Sequence, residues 1–154
     1  MKKKIHELMA LNIKLEKTVG ELYRRYAELF PEDHLFWEKL FREEIEHANL
    51  LEQADYNKDK EIAGAKTVYK HYDATIAAID EINGYIAKTQ HTAPTLREAC
   101  DFALHLESSA SEFHLQYMIK KSTGDELLGV FKQLNSADES HVRRISEFMR
   151  EKKL

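Results

Sequence analysis

A chain of 154 residues, 43% hydrophobic and 32% charged, is the size of one domain and can bury a substantial core. Five glycines and two prolines suit a helical protein and argue against disorder or a sheet-rich fold. A formal charge of −4 with a pI near 6.1 offers no basic face for nucleic acid, and the short Lys2-Lys3-Lys4 cluster reads as a solvated terminus.

The first periodic segment runs from about Ile5 to Phe30. Its stripe is Ile5, Met9, Ile13, Glu16, Val19, Tyr23 and Ala27, three or four residues apart. Pro31-Glu32-Asp33 breaks it, and Asp33 is the expected N-cap of a second helix. That helix carries Trp37, Leu40, Phe41, Glu44, His47, Ala48 and Leu51 on one face and fades near Tyr56-Asn57. Asn57 to Ala65 is polar and reads as loop, and Thr75 to Lys88 as a shorter helix. Another long helix is predicted from Thr92–Thr95 onward. Pro94 stands near its first turn, and Thr95-x-x-Glu98 has the form of a capping box. Its inward stripe is Cys100, Ala103, Leu104, Glu107, Ala110 and His114. Ser122-Thr123-Gly124-Asp125 closes it and caps a last helix with Leu127, Val130, Phe131, Leu134, Asp138, His141, Val142, Ile145 and Met149 on its apolar face.

No apolar run approaches the roughly 20 residues of a membrane span. The basic start continues into an amphipathic helix instead of a signal-peptide apolar region. Cys100 is the single cysteine, which excludes an internal disulfide or a four-cysteine metal centre in this chain, so a reduced, cytoplasmic setting is expected.

The two halves repeat each other. Leu15-Glu16-x4-Glu21-Leu22-x3-Tyr26 matches Leu106-Glu107-x4-Glu112-Phe113-x3-Tyr117 at an offset of 91 residues. Glu44-Ile45-Glu46-His47 matches Asp138-Glu139-Ser140-His141 at an offset of 94, with Trp37 on Phe131, Leu40 on Leu134 and Leu51 on Ile145. With eight His and 27 acidic residues, about one acid-x-x-His pair is expected by chance, so the two present decide nothing by number. Position decides more. Residues three apart share a helix face, and both pairs stand among apolar residues, as do Glu16 between Ile13 and Val19 and Glu107 between Leu104 and Ala110. Four buried carboxylates would cost many kcal/mol or take up protons unless cations offset them. A duplicated helix pair, each with one lone carboxylate and one acid-x-x-His, is the sequence form of a dinuclear carboxylate site in an all-α four-helix bundle. Such a bundle needs one long crossover, which the segment from 57 to 91 provides.

The expected ligands are Glu16 and Glu107 as terminal carboxylates, Glu44 and Asp138 as bridging carboxylates, and His47 and His141 as one imidazole per metal. Oxygen-rich ligands with one imidazole each suit two iron ions or manganese, with zinc as a further option. Tyr23 and His114 lie seven residues beyond the terminal glutamates and read first as core packing, as do Tyr26 and Tyr117. Cys100 reads as a small buried thiol. Glu43, Glu46 and Glu139 are expected to face solvent, and His6, His34, His71, His91 and His105 have no acidic partner at ligand spacing.

With those residues in place, the chain resembles the rubrerythrin-like branch of the ferritin-like superfamily over nearly its whole length. The resemblance rests on Glu16-x7-Tyr23, Glu44-x-x-His47-Ala48, Glu107 and Asp138-x-x-His141, and the run FREEIEHANLLEQ is particularly similar to that family's second helix. It implies a single ferritin-like domain over residues 1–154: an antiparallel four-helix bundle of two hairpins joined by a long crossover. It also implies a dimer and a non-haem di-iron centre that reduces peroxide or dioxygen. Three features depart from the family: Asp138 stands where Glu is usual, Ala110 stands where an extra carboxylate is found, and there is no rubredoxin-like cysteine module. The last implies a separate electron donor. The alternative is a non-catalytic ferritin-like protein for metal binding or sequestration.

Overall fold

The computed structural model describes the backbone of residues 2–54, 65–119 and 126–154, with side chains over 6–54, 72–109 and 129–154. Among these residues every regular element is helical: α1 (Lys2–Leu29), a short 3-10 turn (Pro31–Asp33), α2 (His34–Gln53), α3 (Ala65–Thr89), α4 (Leu96–Ile119) and α5 (Glu126–Glu151). None of the described helices is long and apolar enough to cross a membrane. The chain divides into two compact units, Met1–Ala93 and Pro94–Leu154.

In the first unit α1 packs against both α2 and α3. That explains why its buried face is broader than a single stripe: Leu8, Leu15, Leu22 and Tyr26 are buried beside Met9, Glu16, Val19 and Tyr23, whereas Ile13 and Ala27 are only half-buried. Helix α1 ends where Phe30 precedes Pro31. The proline ring disfavours helical backbone at the residue before it, and Phe30 leaves the helical region at φ −121°, ψ 72°. Asp33 occupies the N-cap position of α2, but its side chain makes no capping hydrogen bond. The chain then doubles back. Lys17 meets Glu52, Gly20 approaches Glu44, and Tyr26 meets Trp37, so residue numbers fall along α2 as they rise along α1.

The turn end of this hairpin is aromatic. Trp37 is fully buried, stacked on Tyr23 at 5.8 Å and edge-on to Tyr26 at 4.9 Å, and Tyr26 also meets Tyr85 of α3 at 6.4 Å. Such ring pairs contribute about 0.5–1.5 kcal/mol each beyond their buried area. Arg25 reaches the end of α3, where its guanidinium donates to the Thr89 hydroxyl and carbonyl.

Helix α3 is not the short element its sequence suggested. It begins at Ala65, well before Thr75, and spans 25 residues. Val68, Tyr72, Thr75, Ile79 and Ile82 keep helical spacing with no glycine or proline among them, and the intervening Lys70 and Asp73, with Lys66 just before, hide that period. The polar loop expected before it falls on residues outside those described, apart from Ala65, which opens α3.

In the second unit α4 packs against α5. Its start follows the expected capping box: the Thr95 backbone N–H donates to Glu98 Oε2 at 2.7 Å, and the Glu98 N–H to Thr95 Oγ1 at 3.2 Å. Ala99, Cys100, Ala103, Leu106 and Glu107 are buried on α4, with Leu104 half-buried. On α5 the buried face is Phe131, Leu134, Asn135, Asp138, His141, Ile145 and Phe148, while Val130, Val142 and Met149 are half-buried. The cap expected at Ser122–Asp125, and the side chains of Ile5, His71, Ala110, Glu112, Phe113, His114, Tyr117 and Leu127, lie outside the described residues.

Two helix glycines give a test of this packing. Alanine is favoured over glycine in a helix interior by about 1 kcal/mol. At Gly84 an added Cβ meets nothing within 4 Å, so Gly84→Ala should gain about that amount. At Gly20 it would stand 3.3 Å from Glu44 Cβ, which is fixed to the α2 backbone, so the gain should be largely cancelled. Urea unfolding of the two variants checks this; an equal gain at both would contradict the close approach of α1 and α2.

Candidate metal centre

Glu44 and His47 project from one face of α2, one turn apart, and Glu16 reaches the same point from α1. His47 Nδ1 lies 3.0 Å from Glu44 Oε2 and 3.4 Å from Glu16 Oε2. Ligand atoms of the three residues all lie within 4.8 Å of one another, the arrangement a single cation requires. Gly20, one turn beyond Glu16, lets the helices come together here, because any larger residue would press on Glu44 Cβ. Its sequence signal was available: it is the single glycine within α1, four residues after a candidate ligand.

In the second unit Glu107 of α4 and His141 of α5 meet, with His141 Nδ1 3.2 Å from Glu107 Oε1. Asp138 stands one turn before His141 on the buried face of α5. Among the described residues, no three ligand atoms of this unit alone gather as closely as those of the first. The structure thus brings together Glu16, Glu44 and His47 in one unit and Glu107 with His141 in the other, while Asp138 is buried one turn before His141.

All six side chains are between 1% and 7% exposed. Of the flanking acids, Glu46 and Glu139 are exposed as expected, while Glu43 is half-buried. His6, His34, His91 and His105 are exposed. Tyr23 and Tyr26 are buried within the aromatic cluster, and Cys100 is buried and in no disulfide.

The electrostatics of this cluster differ from those of ordinary core residues. Burial opposes charge on His47, yet the hydrogen bonds and negative charges of Glu16 and Glu44 outweigh it and raise its pKa from 6.5 to about 10. A proton on His47 therefore supplies the positive charge in this cluster at neutral pH. The donor set of oxygens plus one imidazole nitrogen suits iron or manganese.

Comparison with protein-family models, curated proteins and solved structures gave no significant match.

The raised His47 pKa fixes the sign of a pH dependence. In the metal-free protein the protonated imidazole contributes stability that is fully present below about pH 6.5 and is lost as pH rises through about 10. Unfolding of the metal-free protein should therefore become easier across that interval, and His47→Gln should flatten the slope. A wild-type profile unchanged between those pH values would contradict the Glu16–His47–Glu44 contacts.

Proposed function

We propose that this protein is a dinuclear non-haem iron protein of the rubrerythrin-like, ferritin-like kind, acting as an oxidoreductase that reduces peroxide or dioxygen. The observation that carries this reading is the buried meeting of Glu16, Glu44 and His47, with ligand atoms within 4.8 Å of one another. The repeat supplies the second half: Glu107, Asp138 and His141 occupy the matching positions, all are buried, and Glu107 and His141 are in contact. In this reading Glu16, Glu44, Glu107 and Asp138 would hold the two metals through their carboxylates, and His47 and His141 would each supply one imidazole. The whole chain then forms one ferritin-like bundle, with α3 as the crossover between its hairpins. Two divalent ions would neutralise the −4 of the four carboxylates, which accounts for so much acid within an apolar core.

Iron bound there would supply reducing equivalents and Lewis acidity toward peroxide or dioxygen. The protein's own part is to hold the ligands rigid on helix faces and to keep them dry with Trp37, Leu40, Leu51, Leu134 and Ile145, all fully buried or nearly so. Metal binding must also displace the His47 proton, so loading should release protons. The single cysteine cannot form an electron-transfer cluster by itself, so the reading includes a separate electron donor. A cytoplasmic homodimer completes it.

A second reading, metal storage without turnover, is favoured by one feature: Asp138 is a methylene shorter than a glutamate and is in no three-residue ligand group among the described residues.

Anaerobic addition of ferrous iron to metal-free protein should load close to two ions per chain with release of protons. Glu44→Gln should lose most of that capacity. Peroxide added to the loaded protein should then oxidise the iron. Sustained peroxide consumption with an artificial donor marks an oxidoreductase, and a single stoichiometric oxidation marks a store. Iron content well below one per chain would overturn both.

A further inference from the structure

Glu16 comes from α1, and Glu44 and His47 come from α2, so the span of their cluster depends on how closely those two helices approach. Interaxial distance follows from the side chains at the contact. One turn from Glu16, on the buried face of α1, the contact residue is Gly20. A Cβ there would stand 3.3 Å from Glu44 Cβ, 3.4 Å from Phe41 Cδ2 and 3.5 Å from Ile45 Cδ1. The Phe41 ring and the tip of Ile45 can turn aside. Glu44 Cβ is bonded to the α2 backbone and moves only with it. A single methyl at position 20 therefore shifts the root of one ligand away from α1 by a few tenths of an ångström. Glycine is otherwise disfavoured within a helix. Gly84 of α3 offers a contrast, since a Cβ there meets nothing within 4 Å.

We propose that Gly20 is a positioning residue of the metal centre: by letting α1 close onto Glu44, it sets the reach between Glu16 and the Glu44–His47 pair and so the size of cation they accept. The proposal rests on the metal-centre reading above and deepens it. The magnitudes fit. A functional constellation must be held within about 0.5 Å of its working geometry. Carboxylate oxygens bind zinc at about 2.0–2.2 Å and calcium at about 2.3–2.6 Å, so a few tenths of an ångström separate small divalent ions from large ones. Widening the cluster by that amount penalises a small cation first. Gly20 makes no contact with the metal itself and acts through Glu44.

Cobalt(II) and the larger manganese(II) are suitable probes, because bound cobalt is coloured and manganese can be followed by its displacement of cobalt. Metal-free wild type, Gly20→Ala and Gly84→Ala are titrated anaerobically with both ions, and ion counts are taken by native mass spectrometry. Gly20→Ala should weaken cobalt binding by roughly tenfold or more and manganese binding by less than about threefold, narrowing the preference between them. The visible spectrum of its bound cobalt should differ from that of the wild type. Gly84→Ala should bind both ions within about threefold of the wild type. Circular dichroism and urea unfolding of the metal-free forms should show Gly20→Ala folded and no less stable than the wild type. A merely structural role would lower that stability and leave the preference between ions unchanged.

A Gly20→Ala variant that keeps the wild-type cobalt affinity, or that loses both ions alike, would overturn the positioning role while leaving the metal centre standing. So would a Gly84→Ala variant that loses as much cobalt affinity as Gly20→Ala. Failure of the wild type to bind either ion would overturn the metal-centre reading, and this inference with it.

Discussion

The first unit depends on one electrostatic constraint: two carboxylates, Glu16 of α1 and Glu44 of α2, lie between the helices around the His47 imidazole with almost no access to water. Removing a charge from water costs several kcal/mol even after relaxation, and mutual attraction returns this only with good geometry. Well-packed hydrophobic residues at the same positions would serve stability as well or better. The surrounding residues show that such packing is available, since Leu15, Val19, Leu40 and Leu51 are buried on the same helices. A fold that needed only cohesion had no use for these acids, and their placement forms a group that could hold a cation.

The rest of the unit holds that cluster against its own repulsion. At one end, Trp37, Tyr23 and Tyr26 bind α1 to α2 through large ring contacts, with Tyr85 of α3 against Tyr26. Near the cluster, Gly20 removes the side chain that would hold the helix axes apart. Toward the far end the surface pair Lys17–Glu52, about half exposed, adds little. The geometry of the acids is thus set by apolar and aromatic packing a turn or two away, and surface charge pairs have a minor part.

Those parts of the structure that depend on a single helix face were legible from residue spacing. The α2 stripe matches the buried set except that Phe41 is half-buried, and the capping box at Thr95 and Glu98 forms as its residue types imply. What spacing alone does not carry is how many neighbours a helix has. Helix α1 is covered on two sides, so Leu8, Leu15 and Tyr26 are buried although they stand off the stripe. The start of α3 was obscured because lysines and an aspartate alternate with its apolar residues. The value of Gly20 lies in a tertiary approach that no local pattern encodes. For the site, all six residues are buried as their apolar surroundings implied, but the tightness of the first triad comes from distances alone.

The two halves also differ in how far apart their ligands stand along the chain. From lone glutamate to acid-x-x-His, the second half is three residues longer, since the repeat offset grows from 91 to 94. Three residues added within one helix would turn a ligand roughly 60° off its face, because the helical repeat is about 3.6 residues. Yet Glu107 and His141 still meet at 3.2 Å. The extra length must then be absorbed partly outside the helices. The spacing agrees: four residues separate α1 from α2, and six separate α4 from α5. The contact between the lone glutamate and the histidine is thus kept in both halves despite a changed loop, while the acid of the acid-x-x-His pair has shortened from Glu44 to Asp138. What is preserved is the pairing of one carboxylate with one imidazole nitrogen, and what has diverged is the ligand that would complete each triad.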